Sequence, residues 1–127
     1  MPGTLTYPVA FAATLVVEVP VWAMLLHVVV RVPWRRALLI GVGVNLVSHP
    51  LFWFVLTPAL GALTNEWLAF AAAEAIVVAA EAVMSWWWIR RPRGPGPPGS
   101  QSLDLFLAIS LAANLLSVGA GFVLRIG

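Results

Sequence analysis

Four long apolar runs decide what this chain can become. They extend from about Tyr7 to Val30, Ala37 to Leu56, Trp67 to Ile89 and Leu103 to Leu124. A helix needs about 20 such residues to cross the hydrocarbon core of a bilayer. Every backbone N–H and C=O must be satisfied inside lipid, so these runs are expected as helices rather than open strands. With 61% hydrophobic and 9% charged residues and a mean hydropathy of +0.96, composition excludes an ordinary soluble domain. The expected fold is all-α: one membrane domain over residues 1–127, a four-helix transmembrane bundle in contact with the lipid bilayer. No basic segment precedes the first run, so it is expected as a retained span and not a cleaved signal. The absence of Cys removes disulfides and thiolate metal sites. Arg clusters without interleaved aromatic or Gly-rich motifs give nucleic acid no expected role.

The connections set the orientation. Arg31, Arg35 and Arg36 lie after the first run and Arg90, Arg91 and Arg93 after the third, whereas "TPALGALTNE" after the second has no basic residue and only Arg125 follows the fourth. Arg-rich loops stay in the cytoplasm. Both termini are therefore expected outside, in a multi-pass protein of a bacterial-type inner (plasma) membrane. Trp34, Trp86, Trp87 and Trp88 fall at the expected cytoplasmic interface, and Trp53 and Trp67 at the outer one, as aromatic anchors do. The Pro/Gly/Arg stretch 90–102 is expected as a cytoplasmic linker.

That linker separates two similar halves. "VVEVPV" in the first run is matched by "AAEAIVV" in the third, and "VNLVS" in the second by "ANLLS" in the fourth. The pattern predicts a duplicated helical hairpin, residues 7–56 and 67–124, with both copies in the same orientation, an arrangement known among transporters.

Polar residues are expensive in such helices, a carboxylate at mid-bilayer costing about 3 kcal/mol on insertion scales. Glu18, Asn45, His49, Glu74, Glu81, Asn114 and Ser117 nevertheless fall inside the four runs. Asn45 and His49 are four apart, Glu74 and Glu81 seven apart, and Ser110, Asn114 and Ser117 continue the helical spacing. Each set shares one face. Counted from the span ends, these groups occupy a band ~10 Å deep at ~1.5 Å per residue. Pro20 follows Glu18 by two and Pro50 follows His49 directly. Each is expected to kink its helix and to free a carbonyl, of Val16 or Leu46, toward a cavity. His27, half a turn away from Glu18, is expected at the interface. A plainer reading has the Asn and Ser side chains bonding across helices and His49 bonded to Glu74 as a neutral imidazole.

The stretches "EVP", "NLVSHP", "EAIVVAAEA" and "SLAANLLS" together resemble small four-span prokaryotic membrane proteins, a group with no named activity. The resemblance covers most of the chain and implies four spans, but no mechanism.

Intramembrane carboxylates mark ion paths, proton relays or bound cofactors. The leading expectation is a small membrane protein whose buried Glu/His/Asn site binds or conducts a cation, either a proton or a divalent metal, as a transporter or channel protomer. Glu18, His49 and Glu74 are the candidate metal ligands, and an oxygen-rich set with one imidazole suits Zn²⁺, Mn²⁺ or Fe²⁺. A membrane-embedded metal-dependent enzyme is the second expectation, with no residue singled out as catalytic. The third is a non-catalytic subunit or assembly factor of a larger membrane complex. Four short helices enclose little room, so a channel would call for a homo-oligomer.

Because the chain has no Cys, single cysteines report topology directly. Thr64→Cys is expected to react with a membrane-impermeant maleimide on intact cells, and Ser100→Cys only after lysis. The opposite labelling would place the termini inside.

Overall fold

A computed structural model describes residues 6–90 and 102–126 of the chain. They form α1 (Tyr7–Val28), α2 (Trp34–Pro50), a π-helical turn (Leu51–Leu56), α3 (Thr57–Gly61), α4 (Glu66–Arg90) and α5 (Leu103–Ile126), and among them there is no strand. Four helical segments are long and apolar enough to cross a membrane: α1, the continuous stretch Trp34–Gly61, α4, and Leu103–Val123 of α5. The chain is thus an all-helical, multi-pass membrane protein. Residues 91–101 of the expected linker, with Arg91 and Arg93, lie outside the described residues.

The second span is longer than its hydropathy predicts. It starts at Trp34 and passes Leu56 through α3, so most of the expected "TPALGALTNE" loop is helical. Only Ala62–Asn65 separates α3 from α4. Glu66 heads α4, where a carboxylate suits the positive end of the helix dipole. Asn65 Oδ1 accepts the Leu68 N–H at 2.9 Å, which caps that helix.

The two prolines are accommodated differently. α1 runs through Pro20 without interruption. After Pro50 the chain does not break but widens into the π-helical turn, and Thr57 Oγ1 donates to the Phe52 carbonyl at 2.8 Å. A missing proline amide is often accommodated by such local widening. Val16 and Leu46 are exposed, and neither lines the cavity described below. The expected supply of freed carbonyls to the site is therefore corrected.

At the opposite end, the α1–α2 connection is tied to α1. Arg31 adopts a left-handed conformation with φ 63°, and the Val32 N–H donates to the Leu26 carbonyl at 3.0 Å. The His27 ring places Nδ1 2.8 Å from the Val32 carbonyl and stacks on Trp34 at 4.3 Å. A carbonyl only accepts, so Nδ1 carries the hydrogen. His27 closes a turn and stays out of the polar site, as expected.

The long helices form a four-sided ring in which α1 packs on α2 and α5, and α4 packs on α5 and α2. Lipid offers no hydrophobic drive to press helices together, so close approach relies on small side chains. Ala23, Ala37, Ala69, Ala73, Ala82 and Ala113 are buried accordingly. Gly41 lets α2 rest on α1: a Cβ there would lie 3.3 Å from Trp22 Cβ and 3.4 Å from the Val19 carbonyl. Trp22, Leu26, Ile40 and Phe106 are wholly buried and fill the half of the bundle that holds the α1–α2 connection. The π-helical turn and α3, in the other half, bury no side chain fully.

Gly41→Val is expected to destabilise the bundle by about 1–3 kcal/mol through overpacking. Gly43→Ala is expected to cost less, because the ring edge of Trp88 that its Cβ would meet at 2.9 Å is the far end of a side chain. Unfolding in a denaturing-detergent titration measures both; equal losses would contradict the close α1–α2 approach.

Candidate functional site

Glu81, on the inner face of α4, is 1% exposed. An ionised carboxylate there needs hydrogen-bond donors, and neighbouring helices supply them. Ser48 Oγ from α2 donates to Oε1 at 2.5 Å, and Asn114 Nδ2 from α5 donates to Oε2 at 2.8 Å. Ser110 Oγ lies 3.3 Å from Oε2 but only 2.9 Å from the Val78 carbonyl. Its single hydrogen therefore goes to Val78, and Ser48 and Asn114 are the committed donors. Trp22 Nε1 of α1 approaches the same carboxyl without closing a hydrogen bond. All four long helices meet around this group.

Glu18 on α1 is 4% exposed and differently served. Asn45 of α2 and Ser117 of α5 turn their side chains toward its carboxyl. Asn45 Nδ2 gives one hydrogen to the Gly41 carbonyl at 2.9 Å, whereas Asn114 spends both of its hydrogens, on Glu81 and on the Ser110 carbonyl. Oε2 of Glu18 is buried and has no hydrogen-bond partner. Each buried glutamate thus faces an Asn from the adjoining helix of its own hairpin and a Ser from the other hairpin.

Glu74 is half-buried, and its nearest charged influence is Glu81. His49 is surrounded by aromatic rings. Its ring sits among Phe11 at 5.0 Å, Tyr7 at 5.4 Å and Trp53 at 6.2 Å, its Nδ1 is buried without a partner, and no hydrogen bond joins it to Glu74. The plainer reading of His49 as bonded to Glu74 does not hold; rings from the start of α1 lie beside the imidazole instead.

All seven residues expected at the site, Glu18, Asn45, His49, Glu74, Glu81, Asn114 and Ser117, line one cavity of about 160 Å³. Its other walls are largely apolar and aromatic, including Val77, Phe52, Trp53, Trp67 and Phe70. Among the described residues no Arg lines it. Glu18, Glu74 and Glu81 are close enough to act on one another electrostatically. Among the described residues no group of three His, Cys, Asp or Glu is placed to hold a metal ion.

Two side chains outside the seven expected site residues also matter. Ser48 follows Asn45 by three, as Ser117 follows Asn114, and that repeated spacing was the available signal for it. Trp22 had no comparable signal; a lone Trp in an apolar run gives no sign that it will be wholly buried beside a carboxyl.

No family model matches the chain, no curated protein matches it, and no solved structure matches it. The geometry itself can be tested. Glu81→Ala would leave Ser48 and Asn114 without their acceptor, at about 1–3 kcal/mol for each buried group left unsatisfied. Glu74→Ala breaks no hydrogen bond and is expected to cost well under half as much in the same unfolding titration. Comparable losses would mean that the Glu81 network does not hold the bundle.

Proposed function

We propose that the protein binds a cation in the glutamate-lined cavity and passes it through the membrane, as a small transporter or channel protomer. The observation that carries this reading is the charge balance: three carboxyl groups face one cavity, and among the described residues no Arg faces it. In a medium of low dielectric such carboxylates repel one another strongly unless a proton or another positive charge neutralises them. The unpartnered Glu18 Oε2 is a ready acceptor for that charge.

The duplicated-hairpin reading belongs to this proposal. Its motifs match Glu18 with Glu74; by burial and by matching Asn and Ser donors, however, the counterpart of Glu18 is Glu81. The site would then lie between two like-oriented hairpins, with the termini outside and the Arg-bearing ends in the cytoplasm of an inner (plasma) membrane. Such an interface between repeats is where transporters carry their substrates. A homo-oligomer would enlarge the path.

A second reading, a non-catalytic subunit whose polar groups lock its helices, is favoured by one observation: Glu81 ties α4 to α2 and α5. An enzyme using Zn²⁺, Mn²⁺ or Fe²⁺ would need a ligand group that the described residues do not assemble.

Reconstitution into liposomes carrying a pH-sensitive dye separates the first two. Under an imposed cation or proton gradient, flux is expected from the parent protein and its loss from Glu18→Gln and Glu74→Gln. Equal flux from all three proteins, no greater than from empty liposomes, would leave the packing lock as the surviving role.

A further inference from the structure

We infer that the cavity is built for a protonated organic amine with an apolar body about the size of a benzene ring. This rests on the cation reading and names the class of cation.

The walls are the first reason. A metal ion asks for several polar ligands converging at roughly 2.0–2.6 Å. Here Ser48 and Asn114 are already committed to Glu81, and no metal-holding group of three His, Cys, Asp or Glu occurs among the described residues. An ammonium group asks for less: one or two carboxylates, with aromatic faces around the carbon body. Glu18 and Glu74 provide the charge, and Trp53, Trp67 and Phe70 the faces.

The second reason is the orphaned acceptor. Glu18 is 4% exposed, lines the cavity, and leaves its buried Oε2 without a hydrogen-bond partner. A buried acceptor of this kind is costly until a donor reaches it. The N–H of an ammonium would supply a charge-assisted hydrogen bond at that atom. A quaternary ammonium, lacking N–H, would leave the same atom unpaired.

Volume sets the size. The cavity measures about 160 Å³, and an apolar protein cavity of about 150 Å³ holds benzene. Polycyclic cations are too large for it. Its direction follows from the bundle: the lining reaches exposed Trp67 and Phe122, while Trp22, Leu26, Ile40 and Phe106 close the other half. Entry is therefore from the Trp67 end.

Benzylammonium chloride is the probe, titrated calorimetrically into the purified full chain in mild detergent, with benzyl alcohol as its uncharged counterpart. Saturable binding of the ammonium and much weaker binding of the alcohol are expected. Glu18→Gln should weaken the ammonium about ten- to a hundredfold, the worth of one charge-assisted hydrogen bond. Trp67→Ala, which alters an exposed ring and not the core, should weaken it several-fold, and Glu66→Gln, outside the cavity, should leave it unchanged. If Glu18→Gln fails to fold, Trp67→Ala and the alcohol comparison still decide. Equal binding of alcohol and ammonium would overturn the inference by showing an apolar pocket indifferent to charge. Absence of ammonium binding beside Glu18-dependent proton flux in liposomes, or beside Mn²⁺ binding, would overturn it while leaving the cation reading intact. Absence of binding and flux together would remove both.

Discussion

The buried carboxyl of Glu81 is the interaction around which this bundle is organised. Four helices in lipid gain little from burying apolar surface against one another, since the solvent they leave is as apolar as the interior. Small side chains permit close contact but do not select a register. A carboxyl that must be hydrogen-bonded does: Ser48 on α2 and Asn114 on α5 reach Glu81 only at one rotation and one height of each helix. The polar group thus converts three apolar cylinders into a specified arrangement. Hydrogen bonds across membrane helices average only ~0.6 kcal/mol, so this specification comes from the cost of every alternative that leaves the carboxyl unpaired.

Satisfying Glu81 also divides the bundle. On one side of it Trp22, Leu26, Ile40 and Phe106 fill the space, and the Gly41–Trp22 contact brings α1 and α2 together. On the other side the π-helical turn after Pro50 widens α2 and brings Phe52 and Trp53 to the cavity wall. The cavity is what remains between a closed half and a widened half. It collects polar groups because they are placed in the band where the two halves meet.

Much of this was legible in the sequence. Run length gave four spans, and the polar residues Glu18, Asn45, Glu74, Glu81, Asn114 and Ser117 that interrupt those runs all line the one cavity. Spacing identifies a face, however, and not a partner. It could not tell that Glu81 would be saturated with donors while Glu74 would have none, because that depends on how α2 and α5 are rotated against α4. Nor does spacing show that the rings beside His49 come from the start of α1, distant in sequence from α2. Pro20 and Pro50 show a different limit. A missing amide predicts local adjustment, but whether it takes the form of an unbroken helix or a π-helical turn depends on the surroundings. The boundary at Leu56 was missed because "TPALG" has turn-forming residues yet continues the helix.

The difference between the two buried glutamates is the feature with most consequence. Glu18 and Glu81 face equivalent residue types, an Asn from their own hairpin and a Ser from the other, yet only Glu81 has both carboxyl oxygens hydrogen-bonded, Oε2 of Glu18 having no partner. Had the polar groups served packing alone, both carboxyls would be under the same pressure to be satisfied, since each is nearly inaccessible. Leaving Glu18 Oε2 open sacrifices stability at a position where Asn45 and Ser117 stand close by. On the proposed cation reading, an open acceptor beside a cavity has its pairing completed by what enters. In that proposal the saturated Glu81 and the open Glu18 divide the labour: one carboxyl holds the helices in place so that the other can remain available.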